Sequence, residues 1–213
     1  PINSTSIYNE QFFTKSLVEF IKSQNLKSLT IAGESIGGVL PVTICLEIPK
    51  IVKKILLFNP YDYDTYFGEG IARGNFFSKF ILFHVSLPFL GSFFSSLENK
   101  FILKNIMRGG FYDIENLSEE YLKLLCSSLK KENYTYHFRN VLRNSKTWAA
   151  TKSFYTKIKI PVKLIYGNKD WSTKKERRET ADLLKVNDII EIDDCGHFSF
   201  LDQPKKVADI LLS

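Results

Sequence analysis

Ser28-Leu-Thr-Ile-Ala32 runs directly into Gly33-Glu34-Ser35-Ile36-Gly37-Gly38. The first five residues end in an apolar, β-favouring run and predict a short buried strand. The next six predict a tight turn, and the apolar residues from about 36 to 48 predict a helix after it. The turn fits G-x-S-x-G, a pattern with mechanical content only between a buried strand and a helix. There the serine backbone is forced into a strained conformation, and flanking glycines relieve side-chain clashes. The Ser35 hydroxyl then projects above the sheet, and the helix N-terminus brings backbone N–H groups that can stabilise an oxyanion. The competing possibility is an ordinary serine in a glycine-rich turn.

Outward from this stretch the chain alternates helix and strand. Phe13, Leu17, Phe20 and Ile21 recur at helical spacing and predict a helix over about 9–24. Lys53–Phe58 predicts a second strand, closed by Asn59-Pro60. Residues 61–150 are rich in Phe and Tyr and predict helices near 75–86, 93–107, 117–131 and 135–147, with no clear strand. Alternation returns with a strand at Pro161–Tyr166 that ends in Gly-Asn-Lys-Asp170. A Thr173–Glu176 capping box opens a helix to about 185. A strand at Asp188–Ile192 and a helix from Pro204 to about 212 complete the chain. Strands separated by helices imply an α/β fold with a mostly parallel sheet, whose functional loops lie at the strands' C-terminal ends.

A serine hydroxyl needs a base to become a nucleophile. Of the three histidines, His84 and His137 fall in the helical middle, and His197 follows the last strand in Asp194-Cys-Gly-His197. A base needs a carboxylate to orient it, and Asp170 ends the intervening strand. Asp62 and Asp64 are rival acids, whereas Asp193 and Asp194 suit loop capping. The order Ser35, Asp170, His197 is nucleophile, acid, base.

These three ordered motifs resemble the α/β-hydrolase family of lipases, esterases and C–C hydrolases, over about 25–60 and 150–213. The resemblance implies an α/β-hydrolase core at 1–60 and 151–213, and a helical cap at 61–150 that covers the site and selects substrate. It implies Ser35, Asp170 and His197 as catalytic residues, Gly33 and Gly37 as the glycines of the nucleophile elbow, and the Ile36 N–H as one oxyanion donor. The expected activity is hydrolysis of a carboxylic ester or related acyl compound with an apolar part, through an acyl-enzyme. C–C bond hydrolysis or acyl transfer on the same triad stays open, as does a non-catalytic binding protein of the same fold. No metal or organic cofactor is implied. The sequence departs from the family in two ways. No His-Gly loop precedes the nucleophile to supply the second oxyanion donor, and Pro41 falls early in the helix after Ser35, where a missing N–H should loosen the turn.

The 213 residues carry 44% hydrophobic and 24% charged side chains, which excludes a disordered chain. Three widely spaced cysteines, Cys45, Cys126 and Cys195, form no disulfide framework and point to a reducing, cytoplasmic setting. The net charge of +6 resides in residues 97–160, which hold 12 Lys/Arg against 6 Asp/Glu. Without zinc spacing or an RNP-like motif, nucleic acid is not an expected partner. Phe76–Phe94 is the most apolar stretch; Lys79, His84, Pro88 and Gly91 argue against a membrane span. Two alternatives remain for it: buried helices lining an apolar pocket over Ser35, or a lipid-facing lid in peripheral membrane contact. Finally, the chain opens Pro1-Ile-Asn, without Met. With no strand preceding Ser28–Ala32, that strand should keep one unpaired edge. The expectation is a fragment, poorly soluble and almost inactive alone.

Overall fold

The computed structural model describes residues 7–63, 68–87 and 89–213. Asp64 and Pro88 lie outside the described residues. Four strands, β1 (Leu29–Glu34), β2 (Val52–Phe58), β3 (Val162–Gly167) and β4 (Ile190–Ile192), form one parallel sheet in the order β1-β2-β3-β4. The register pairs Glu34 with Phe58, Phe58 with Ile165, and Gly167 with Ile192. The C-terminal ends of all four strands therefore share one edge. Among the described residues β1 occupies the sheet's border and pairs only with β2.

Alternating side chains of the central strands feed two cores, as a pleated strand buried on both faces requires. Ile55 and Leu57 of β2, with Leu164 and Tyr166 of β3, pack under α1 (Glu10–Ser23) and α2 (Leu40–Glu47). Leu56, Phe58, Ile165 and Ile192 face the other way, against Val207. Each such aliphatic or aromatic side chain contributes about 1.5–3 kcal/mol by leaving water.

Among the described residues seven α-helices separate β2 from β3: α3 (Glu69–Gly74), α4 (Phe76–Ser86), α5 (Gly91–Ser96), α6 (Lys100–Arg108), α7 (Glu119–Ser128), α8 (Tyr134–Arg143) and α9 (Ser145–Ala150). The helix expected over 93–107 is broken at Leu97–Asn99. There the Asn99 side chain accepts from the N–H groups of Phe101 and Ile102 and starts a new helix. The helix expected over 135–147 likewise divides at Asn144. Trp148 of α9 belongs to the main core rather than to a separate helical cluster. After β3 come α10 (Lys174–Leu184), with the Thr173–Glu176 capping box formed, then β4, α11 (Ser199–Asp202) and α12 (Pro204–Leu212).

Two local expectations need correction. The helix after Ser35 does not start at 36. Ser35–Gly38 is a 3-10 turn, and α2 begins at Leu40 with Pro41 in its first turn. A backbone N–H has no helical partner at that position, so Pro41 costs no hydrogen bond and does not loosen the turn. The phenylalanines of 76–94, moreover, do not line a pocket over Ser35. Phe76, Phe77, Phe80, Phe83, Phe89 and Phe93 are exposed, while Ser78, Leu82 and Val85 carry the buried stripe of α4.

Candidate active site

Ser35 sits one residue past β1 with φ 58°, in the left-handed region that a side chain rarely adopts. The turn is tight enough to dictate its neighbours. A Cβ on Gly33 would lie 2.0 Å from the Gly37 carbonyl oxygen, and one on Gly38 would lie 2.9 Å from the Phe58 oxygen. A Cβ on Gly37 would meet nothing within 4 Å. Close approach therefore demands Gly33 and Gly38, not Gly37. The Tyr61 N–H donates to the Ser35 carbonyl at 3.0 Å, which ties the turn to the end of β2. Ile36 is the second residue of the 3-10 turn, where a backbone N–H has no partner inside the turn.

His197 follows β4 and is fully buried. Its Nε2 lies 2.7 Å from Ser35 Oγ and its Nδ1 lies 2.5 Å from Asp170 Oδ1. Residues 162 and 27 apart in sequence thus meet at one sheet edge. The other Asp170 oxygen accepts from the Ser172 N–H at 3.0 Å and from the Ser172 hydroxyl. Burial opposes ionisation of Asp170. The positive charge of a protonated His197 and the hydrogen bonds from His197 and Ser172 outweigh it, and hold the carboxyl below its ordinary value. Asp62, the rival acid, is elsewhere. It is buried, accepts from the Thr180 hydroxyl at 2.7 Å, and leaves Oδ1 without a hydrogen bond. Its pKa is pushed up to about 6, chiefly by burial.

Several further side chains fix this arrangement. Trp171 stacks on His197, with centroids 3.8 Å apart and planes 13° from parallel, while its Nε1 donates to the Gly109 carbonyl at 2.7 Å. Asn59, fully buried just past β2, donates to the His197 carbonyl and accepts from the Gly167 N–H, both at 2.8 Å. Arg177 holds the acid loop through Ser172 Oγ at 2.9 Å and lies over the Tyr166 ring. Glu34 accepts from Ser199 Oγ at 2.5 Å and from the Phe200 N–H at 3.1 Å; burial raises its pKa. Asp202 accepts from the Gly196 N–H at 2.8 Å and from the Tyr112 N–H and Asn116 Nδ2, each at 2.6 Å. A usable signal did exist for Asn59 and Asp202, since polar residues beside a strand end or inside a short apolar helix are placed to cap backbone. Nothing local marks Trp171.

Above Ser35 lies an apolar cavity of about 350 Å³. Ile36, Tyr61, Trp171 and Phe198 of the sheet edge line it, together with Ile71, Ile106, Phe138 and Leu142 of the helical segment. His137 also faces the cavity; its Nδ1 is buried without a hydrogen bond, and burial lowers its pKa. Among the described residues, no group of three His, Cys, Asp or Glu side chains is placed to hold a metal ion.

No protein-family profile matches the chain. It is 25% identical over 223 aligned positions to a 1-acylglycerol-3-phosphate O-acyltransferase of Arabidopsis thaliana, which covers 92% of this chain and 51% of the relative. A probable enzyme of the same name from rice is 22% identical with the same coverage. The chain thus spans about half the length of the curated relatives it matches. Among solved structures it resembles a meta-cleavage product hydrolase of Pseudomonas fluorescens (TM-score 0.74, 13% identity), with 100% of this chain and 73% of that one covered. It also resembles a carboxylesterase of Bacillus subtilis (TM-score 0.73, 16% identity), with 100% and 68% covered. The chain has the α/β-hydrolase fold.

Proposed function

We propose that Ser35, His197 and Asp170 form a catalytic triad that opens an acyl ester whose apolar part occupies the cavity above Ser35, beneath a cap formed by residues 61–150. The observation that carries this reading is the continuous chain Ser35 Oγ–His197–Asp170, with 2.7 and 2.5 Å links, at the floor of an apolar cavity. Ser35 Oγ attacks the carbonyl carbon as His197 Nε2 takes its proton. Asp170 holds the imidazole through Nδ1, and the Ile36 N–H donates to the oxyanion. Collapse of the tetrahedral intermediate breaks the bond to the leaving oxygen, which takes the proton from His197. Water, deprotonated by His197, then releases the acid and restores Ser35.

The names of the relatives favour a second fate for the acyl-enzyme, attack by a lysolipid hydroxyl in place of water. The first half of the cycle is common to both. C–C hydrolysis would use the same residues on a carbon leaving group. The test uses the full chain with a long-chain p-nitrophenyl ester, with and without 1-acylglycerol-3-phosphate. Nitrophenolate release that Ser35→Ala abolishes supports the triad. Free acid as the sole product supports hydrolysis, and a diacyl product supports transfer. Wild-type release by Ser35→Ala would refute both, as would a wild-type protein that neither turns over esters nor reacts with a fluorophosphonate.

A further inference from the structure

Helix α4 is apolar on two opposite faces. Leu82 and Val85 of one face pack on Ile71, Phe138 and Leu142, which also line the cavity over Ser35. Phe76, Phe80 and Phe83 of the other face point to solvent. Ring contacts run from Phe80 through His84 and Phe94 to Phe93, so the exposed faces of α4 and α5 are continuous. Phe89, 95% exposed, and Leu90 lead into α5 beside them. Together these rings and Leu90 expose roughly 600–900 Å². That exceeds the largest apolar patch of a typical monomer, about 300–600 Å².

The segment itself carries one sign of charge. Residues 76–97 contain no Asp or Glu. Lys79 is exposed on α4 between Phe76 and Phe80. Arg139 donates to the carbonyls of Val85 and Leu87, and exposed Arg143 reaches Leu87, so two guanidinium groups sit at the α4–α5 connection. Glu98, the first acid past α5, is occupied by hydrogen bonds from Ser95 and Tyr134. Among the described residues no helix is long and apolar enough to cross a membrane.

We infer that the phenylalanine face of α4 and α5 docks in the plane of a lipid bilayer bearing anionic headgroups, and so holds the cavity over Ser35 against the membrane. The rings enter the boundary between headgroups and acyl chains, and the exposed Lys79 and Arg143 meet lipid phosphates or carboxylates. A second copy of the chain fits the face less well. A two-fold contact would set Lys79 and Arg143 against their like, and Glu98 is already engaged by Ser95 and Tyr134. The docking does not depend on the proposed chemistry, because it is read as binding.

The test is flotation of the full chain carrying Ser35→Ala, which keeps lipid from being consumed, with vesicles of phosphatidylcholine alone or with phosphatidylserine. The protein should float with the anionic vesicles, less so in high salt. Phe80→Ser/Phe83→Ser/Phe93→Ser should weaken this by at least about tenfold, since even one ring withdrawn from water is worth about that much. The replaced rings are already exposed, so the urea midpoint should stay near that of the parent. Should the triple variant fail to fold, an environment-sensitive dye on Phe83→Cys, in a Cys126→Ser background, should shift to the blue only with anionic vesicles. Flotation unchanged by the triple substitution, or equal on neutral and anionic vesicles, would overturn the inference. So would a vesicle-free dimer that the triple substitution disperses.

Discussion

Asn59 gives the sharpest test of how the site is held. Its side chain joins the end of β2 to the end of β3 and to the His197 loop, and its own φ is 44°. Asn59→Gly keeps that backbone conformation at no steric cost but deletes both hydrogen bonds. The Gly167 N–H and His197 carbonyl then stay buried without partners, at about 1–3 kcal/mol each, so the loss should be about 2–6 kcal/mol. Asn59→Ala adds a Cβ in the left-handed region, a further cost of about 1–2 kcal/mol. The order of stability in urea unfolding should therefore be Asn, Gly, Ala, the reverse of the usual Ala-over-Gly preference. The variants should also lose their tether on His197, and a displacement near 1 Å costs about 10²-fold in rate. Fluorophosphonate labelling of Ser35, followed in dilute buffer where the protein remains folded, reads that loss directly. Gly and Ala variants that match the parent within about 0.5 kcal/mol and label at its rate would refute the reasoning.

Gly37→Ala should be tolerated, because its Cβ meets nothing, whereas Gly33→Ala, with a 2.0 Å clash against backbone, should abolish soluble expression or labelling. A pair of variants with equal labelling would contradict this. Asp62→Asn should change the pH dependence of stability. The folded pKa is raised from 3.8 to about 6, so the native state holds the proton more tightly. Stability then falls as pH rises from about 4 to about 6, by about 3 kcal/mol, and stays reduced above. Urea titrations from acid to neutral pH should show the decline in the parent and not in Asp62→Asn. Asp170 has the opposite sign: its lowered pKa gives stability that is full above the unfolded value and lost as pH falls through the folded one. Asp170→Asn should remove that acid-side loss and reduce turnover by about 10⁴-fold in steady-state assays.

The strand–Ser35–helix unit, the Asp170 strand end and the His197 loop were legible because each is a local pattern, an apolar run followed by turn residues. Their meeting could be anticipated because parallel strands place such ends at one edge. Trp171 was not legible, and Asn59 was legible as a backbone cap but not in its partners, because those partners lie 62 to 138 residues away. Composition also misled. Seven phenylalanines in one stretch suggested a buried wall, but α4 lacks the polar stripe that tells a helix's inside from its outside. Its buried side is marked by Ser78 as much as by Leu82. The G-x-S-x-G pattern also leaves out Gly38, on which the close approach of Phe58 and Pro60 falls.

The segment following α6 is not an independent lid. The Gly109 carbonyl takes the Trp171 hydrogen bond, the Gly110 carbonyl accepts from the Phe198 N–H at 3.0 Å, and Asp202 ties Tyr112 and Asn116 to Gly196. The backbones touch as well: a Cβ on Gly196 would lie 2.4 Å from the Gly110 oxygen, and one on Gly110 would lie 2.3 Å from the Phe198 ring. Residues 109–116 are thus built into the wall that holds His197, and displacing them would break buried hydrogen bonds beside the base. Helices α4 and α5 meet the rest through the small cluster of Leu82, Val85, Phe138 and Leu142, through Ser78 on the Ile106 carbonyl and through Arg139, with most of their rings in water. Regions with few buried contacts open at lower free energy than those tied by buried networks. Local opening is therefore expected on the α4–α5 side, where the apolar face and the cationic flank also lie, while Ser35, His197 and Asp170 are held by the stitched side.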